Sequence, residues 1–387
     1  MLFHRLCRTP VRLFKQALTL LVTLALTVTA TTSHADTKTN SNRVLKIINW
    51  GEYIAPDVLA KFERAYGVTI EYTGYYSVEE FSGYFFEPDA NFDVVFPASR
   101  VIPRLTELGL LEGINTRQLP RFAQLRPDVL QQYQQQENGD LHAIPYMWGT
   151  TGLGVNTHQL EQLGIGDYKN SWALLFDANV RAKASQCGIG LLNERDELFA
   201  AALVYLGYSA NTTDKSELMQ AGNLLKEAIQ DAQYLHPNQY RQDLTAGRIC
   251  VAVGYSGNIL QDIAQHPDYA YYIPREGAAM WIDVMAVAAS SQNKTLAYQF
   301  IDFLMRPENA AANTNLMAYP TAMASAEPMI DKHITENPAI YPPQLQLTQL
   351  EALIPQDKQA TRIKHRLWVS AICSGRSWCS VPMTSFF

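Results

Sequence analysis

Between residues 44 and 96, short apolar runs alternate with amphipathic stretches, and this alternation constrains the fold most strongly. Val44 to Asn49 (VLKIIN) reads as a buried strand. Pro56 to Tyr66 (PDVLAKFERAY) reads as a helix: Pro56 suits the first turn, Val58, Leu59 and Phe62 share a face, and Gly67 ends it. Val68 to Tyr72 is a second expected strand and Phe92 to Phe96 a third, with a helix around 78–86 between them. Strand–helix–strand–helix–strand points to an α/β sheet covered by helices.

The pattern pauses over 112–140, a polar, Gln-rich stretch. Ala143 to Trp148 and Leu153 to Asn156 then read as extended. Leu198 to Leu206 and Glu217 to Ile229 read as helices, Ile249 to Gly254 and Trp281 to Ala288 as strands, and Thr295 to Met305 as a helix stopped by Arg306-Pro307. A chain of 387 residues usually divides into two domains.

Residues 1–35 do not read as part of the fold. His4, Arg5, Arg8, Arg12 and Lys15 precede an uncharged apolar run from Ala17 to Ala30, and Ser33-His34-Ala35 follows. This is the layout of a secretory signal peptide, with cleavage expected after Ala35. The competing reading is a membrane anchor. The 14-residue run spans about 21 Å as a helix, short of the roughly 30 Å hydrocarbon core. Four of the 31 Lys and Arg and none of the 37 Asp and Glu lie in this segment, so its removal takes the net charge from −6 to −10. An acidic chain has no basic excess for neutralising phosphates, which argues against nucleic-acid binding. Export makes disulfides permissible, and the remaining cysteines are Cys187, Cys250, Cys373 and Cys379.

Motifs for catalysis or metal binding do not emerge. There is no His-Glu-x-x-His, Cys-x-x-Cys, Walker loop or Gly-x-Gly-x-x-Gly, and Gly254-Tyr255-Ser256-Gly257-Asn258 misses nucleophile-elbow spacing by one residue. No catalytic residue, cofactor or metal ligand is expected. What stands out is aromatic residues beside acids or amides at expected strand ends: Trp50-Gly51-Glu52-Tyr53, Tyr255-Ser256-Gly257-Asn258, Trp281-Ile282-Asp283 and Tyr319-Pro320-Thr321. In an open α/β sheet, ligands bind where strand ends meet loops. An aromatic face beside a carboxylate suits an organic cation. Taken singly, each pair also fits a plugged local core with a solvated acid.

These residues bring a family into view. The chain resembles the periplasmic putrescine- and spermidine-binding proteins of polyamine ABC transporters. The resemblance rests on NWGEYIAPDVLAKFE (49–63), FDVVFP (92–97), IPYMWGTTGLGVN (144–156), DELFAAALVYLG (196–207), GRICVAVGYSGN (247–258), IPREGAAMWIDVMAV (273–287) and YQFIDFLMRPE (298–308), and it runs from about 44 to 375. It implies an α/β, two-lobed periplasmic-binding-protein fold, each lobe a sheet flanked by helices, with a hinge between lobes and ligand in the cleft. The lobes are expected at 36–152 plus 282–327 and at 153–281 plus 328–375, leaving 376–387 as a tail without assigned role. The resemblance also implies a Cys187–Cys250 disulfide.

Carried over by position, the resemblance implies that Trp50 and Tyr53 pack on the ligand's carbon chain and that Glu52 meets an amine. Glu197 is an acid from the second lobe, and Glu194 falls where spermidine receptors carry an acid. Tyr255 takes the place of a Trp, Trp281 stacks, Asp283 is the central acid and Tyr319 closes the pocket. Asn258 replaces an Asp of putrescine receptors. Ala98 and Arg100 depart from the family: a guanidinium in contact with an ammonium would repel it, so Arg100 either turns away or neutralises Glu194 or Glu52, or the ligand is shorter, less charged or carries a carboxylate.

The implied function is capture of a small cationic polyamine, spermidine-like or putrescine, by a monomeric periplasmic protein that delivers it to an inner-membrane ABC permease; Glu194, Asn258, Glu52 and Trp281 favour the longer polyamine. One alternative is a polyamine sensor that signals through a membrane receptor. Others are a receptor for an amino acid derivative, or a ferric receptor using Tyr75-Tyr76 or Tyr271-Tyr272.

Overall fold

The structure is a computed structural model that describes residues 43–137 and 140–374. The expected signal peptide at 1–35, Cys379 and the expected tail at 376–387 lie outside the described residues. Among the described residues, ten strands form the sheet: β1 (Arg43–Trp50), β2 (Val68–Tyr75), β3 (Val94–Val95), β4 (Ile144–Asn156), β5 (Ile189–Leu191), β6 (Tyr234–Leu235), β7 (Val251–Tyr255), β8 (Tyr269–Tyr272), β9 (Ala278–Val287) and β10 (Leu350–Ala352). The helices that bear on the site or its support are α1 (Pro56–Tyr66), α2 (Val78–Phe85), α3 (Arg195–Tyr205), α4 (Lys215–Asp231), α5 (Gln239–Thr245), α6 (Ser256–Ile263), α7 (Lys294–Leu304), α8 (Pro307–Met317) and α9 (Lys358–Cys373).

The strand order is β2-β1-β3-β9-β4-β7-β5-β6, with β10 beside β9 and β8 beside β4. Pairing is parallel for β1–β3, β5–β7, β5–β6 and β9–β10, and antiparallel wherever β4 meets β7, β8 or β9. β4 and β9 are buried along their whole lengths, the signature of strands covered on both faces. β4 pairs with β9 over Ile144–Thr150 and with β7 over Thr151–Val155, so it changes partner at Thr150 and Thr151. The two extended segments expected at 143–148 and 153–156 are therefore one strand. Gly149-Thr150-Thr151-Gly152 interrupts the apolar pattern but not the strand.

The expected α1 is reproduced from Pro56 to Tyr66. Its apolar face buries Val58 and Phe62, and Phe62 meets the rings of Phe300 and Phe303 on α7 edge-on at 4.8 and 5.3 Å. Burying such a ring contributes about 2–3 kcal/mol. Arg306-Pro307 ends α7 as expected, but Pro307 also opens α8, whose first turn tolerates the missing N–H. The Gln-rich stretch contains a helix over Pro127–Gln134 that its polarity concealed.

Cys187 and Cys250 form a disulfide with Cα atoms 5.5 Å apart. They sit just before the parallel neighbours β5 and β7, so the bridge locks the entry to both strands. Cys373 is also disulfide-bonded. The Cys187–Cys250 bridge spans 63 residues, a closure that stabilises by about 4 kcal/mol in the chain-entropy model. The double variant Cys187→Ser/Cys250→Ser is expected to unfold several degrees lower by scanning calorimetry. An unchanged midpoint would remove the bridge as a stabilising element.

Candidate functional site

A cavity of about 500 Å³ opens where β1, β7 and β9 end or pass. β9 supplies its floor. Residues two apart on a strand face the same side, so Trp281 and Asp283 both reach the cavity. Trp281 stands directly across the β4–β9 pair from Gly149. A Cβ on Gly149 would lie 2.4 Å from the indole, so glycine is what lets the ring settle on the strand. Gly257 plays the same part for Tyr319, whose ring atoms would meet a Cβ there at 2.5 Å.

From β1 come Trp50 and, after a tight turn, Glu52 and Tyr53. Glu52 has φ 56, the left-handed region, at a cost of about 1–2 kcal/mol for a residue with a side chain. Its neighbours are pinned: the Gly51 N–H donates to the Tyr75 carbonyl at 2.8 Å, and the Tyr72 hydroxyl donates to the Trp50 carbonyl at 2.6 Å. Tyr255 ends β7, and Asn258 sits in the first turn of α6. The Asn258 backbone N–H donates to the Tyr319 hydroxyl at 3.1 Å.

The rings of Tyr53, Tyr255, Trp281 and Tyr319 make a connected group, and Trp50 and Tyr75 a second pair in the same wall. Trp281 meets Tyr319 edge-on at 4.9 Å and Tyr255 at 5.8 Å; Tyr319 meets Tyr53 at 5.8 Å; Trp50 packs on Tyr75 at 4.5 Å. Burial holds the Tyr53, Tyr255 and Tyr319 hydroxyls well above the ordinary phenol range, so they remain neutral donors.

Asp283 lies among these rings, 5 % exposed. The Tyr53 hydroxyl donates to its Oδ2 at 2.9 Å. Burial pushes its carboxyl up to about 7, against the opposing effects of the Tyr53 hydrogen bond and the Arg100 charge. Among the described residues no Lys or Arg comes within ion-pair distance of it.

Arg100 does enter the cavity wall. Ala98 bridges to Asp283, the Val284 N–H donates to the Pro97 carbonyl at 3.1 Å, and the next turn carries Arg100 inward. Its guanidinium stands 3.6 Å from Glu194 and 4.0 Å from Glu197. Burial opposes its charge, but Glu194 and Glu197 outweigh that and hold its proton more firmly than usual. Glu197 is 1 % exposed, and its two carboxylate oxygens have no partner at ordinary hydrogen-bond distance. Burial raises its carboxyl, with Arg100 and the Thr151 hydroxyl pulling the other way.

All the expected site residues line the cavity except Glu194, which stands behind Arg100 as its counter-ion. Sequence reasoning missed Arg241 and Asp262, which line the wall as a bidentate pair at 2.7 and 2.9 Å. They lie on α5 and α6, and only the fold brings them together. Of the tyrosine pairs, Tyr75 already donates to the Phe96 carbonyl at 2.6 Å, and Tyr271 is tied to Thr150 at 2.9 Å. Tyr76 lines the cavity on a different element from both Tyr271 and Tyr272.

A model of the bacterial extracellular solute-binding proteins matches residues 57–342. The chain belongs to this family. It is 33% identical over 365 residues to the putrescine-binding periplasmic protein SpuD of Pseudomonas aeruginosa, covering 92% of this chain and 98% of that one. It is 33% identical over 334 residues to the putrescine-binding periplasmic protein PotF of Escherichia coli, covering 84% and 90%. A Listeria monocytogenes structure described as a spermidine/putrescine ABC transporter superposes with a TM-score of 0.76 at 27% identity, covering 87% of this chain and all of that one. The two-lobed α/β architecture is that of these binding proteins. No helix among the described residues is long and apolar enough to cross a membrane.

The Asp283 environment predicts a stability profile. Below about pH 4 its carboxyl is protonated in both folded and unfolded chains. Between about 4 and 7 the unfolded chain has lost the proton that the folded one keeps, so stability falls as pH rises through this window. The deficit above pH 7 reaches at most about 4 kcal/mol, from roughly three pKa units. Ligand-free Asp283→Asn is therefore expected to melt above the parent at pH 7.5 and close to it at pH 4. A variant that melts lower at both pH values would show that the buried carboxylate carries no penalty.

Proposed function

We propose that this protein captures an aliphatic polyamine in the cavity and delivers it, in the periplasm, to an inner-membrane ABC permease. The observation that carries this reading is Asp283: a buried carboxylate with no Lys or Arg at ion-pair distance among the described residues, floored by Trp281 and ringed by Trp50, Tyr53, Tyr255 and Tyr319. An ammonium supplies the missing charge and donors, and the ring faces attract it further. The same rings bury the methylenes between amines. Putrescine recognition by the two relatives named above supports the ligand class.

In this reading Trp50, Tyr53, Tyr255, Trp281 and Tyr319 pack on the carbon chain, Asp283 holds the ammonium, Glu52 guides it at the mouth, and Asn258 and Glu197 contribute polar contacts from the far wall. Residues 1–35 direct export and are removed. The lobes fall at 36–152 plus 282–327 and 153–281 plus 328–375, close to where β4 changes partner, and they close over the ligand as a hinge. Binding and release need no bond chemistry, so the protein acts as a receptor and not as an enzyme.

A thermal-shift series of polyamines tests the class, because a ligand of the folded state must raise the midpoint. At least one aliphatic polyamine is expected to raise it. Asp283→Asn is expected to weaken that ligand at least tenfold by titration calorimetry. Affinity in the parent should also fall as pH drops from 8 to 6, because the protonated carboxyl no longer attracts an ammonium. Unchanged affinity in Asp283→Asn would refute the role given to this residue.

A further inference from the structure

The cavity wall has two chemically different parts. Asp283 offers acceptors only. A second part offers a donor and an acceptor together: the Arg100 guanidinium, and the Glu197 carboxylate 4.0 Å from it. Both are nearly out of solvent, with side chains 17 % and 1 % exposed. Arg100 meets Glu194 and Glu197 at ion-pair distances and makes no hydrogen bond with either. The oxygens of Glu197 have no partner at ordinary hydrogen-bond distance, although the Thr151 hydroxyl bears on the carboxyl. The other arginine of the wall, Arg241, is different, because Asp262 already takes two of its N–H groups.

A free diamine does not fit these two parts. Its second ammonium carries donors alone, and those would satisfy Glu197 while lying against a guanidinium of the same sign. A carboxylate there would satisfy Arg100 but meet the Glu197 carboxylate, with Glu194 close by on the other side of Arg100. A secondary amide satisfies both groups: its carbonyl oxygen accepts from Arg100, and its N–H donates to Glu197, without adding charge to a wall that already holds one cation and two anions. We propose that the preferred ligand is an N-acylated polyamine, with its free ammonium at Asp283 and its amide between Arg100 and Glu197. This rests on the polyamine reading above and narrows it to a singly capped form.

Three compounds sharing an ammonium on four methylenes separate the possibilities: N-acetylputrescine, putrescine and 5-aminopentanoate. By titration calorimetry the parent protein is expected to bind N-acetylputrescine at least tenfold more tightly than either of the others. Arg100→Ser should reverse the order, raising putrescine affinity at least tenfold and lowering that for N-acetylputrescine. Putrescine binding to the parent as tightly as N-acetylputrescine would overturn the inference and leave the polyamine reading standing. Tightest binding of 5-aminopentanoate would overturn the amide. If none of the three binds and no other polyamine does, the polyamine reading itself falls. The comparison within the parent decides the matter even if Arg100→Ser folds poorly.

Discussion

The antiparallel pairing of β4 with β9 is the constraint on which the rest of the molecule depends. Both strands are buried throughout, and each extends the sheet toward a different set of neighbours. β9 reaches β3 at one end and β10 at the other, while β4 continues from β9 onto β7 and β8. Because side chains alternate along β9, this pairing delivers Trp281 and Asp283 to one place, and the bridge from Asp283 to Ala98 delivers Arg100 nearby. A slip of one residue would turn these side chains to the opposite face. Gly149 guards that register in a second way, since the indole of Trp281 occupies the space a side chain would need.

Holding Asp283 in an aromatic box works against stability. The Tyr53 hydroxyl satisfies part of the carboxylate, yet burial still dominates its titration. Glu197 is in the same position with Arg100 as its only nearby cation among the described residues. Residues that fit poorly in the folded chain by themselves mark sites whose missing partner comes from outside. The strained turn at Glu52 belongs to the same pattern, since the two residues that lead into this left-handed backbone at the cavity mouth are pinned by Tyr72 and Tyr75.

Much of this was legible from local pattern. The periodicity of Pro56–Tyr66 and the apolar run of β1 carry their structure in their own side chains. The aromatic–acid pairs at strand ends led to the cavity because strand ends and loops are where an α/β sheet places ligands. What stayed hidden depends on contacts between distant segments. The continuity of β4 through Gly149 and Gly152 comes from rings on β9 and β8 that fill those gaps. The Arg241–Asp262 pair joins two helices whose packing no local pattern reports. Glu194 shares its neighbourhood with Glu197 in sequence, but the helix start at Arg195 turns Glu197 into the cavity while Glu194 stands behind Arg100.

The charges of the far wall extend away from the cavity. Asp196, between Glu194 and Glu197 in the chain, pairs with Arg195 at 2.9 Å and stands 4.0 Å from Lys364 on α9. Lys364 is 2 % exposed, and its ammonium lies 5.9 Å from the Phe199 ring. Burial lowers its hold on a proton, with Asp196 opposing. Acid and base therefore alternate from Arg100 through the start of α3 to α9, and each buried charge has an opposite neighbour. Such an array fixes Arg100 in position, because withdrawing its guanidinium would leave Glu197 buried without a counter-charge. In the proposed function, the aromatic box packs on the carbon chain of a ligand whatever group ends it. Selection among ligands with the same carbon chain then falls to the polar groups of the wall, among them a guanidinium held in place by Glu194 and Glu197.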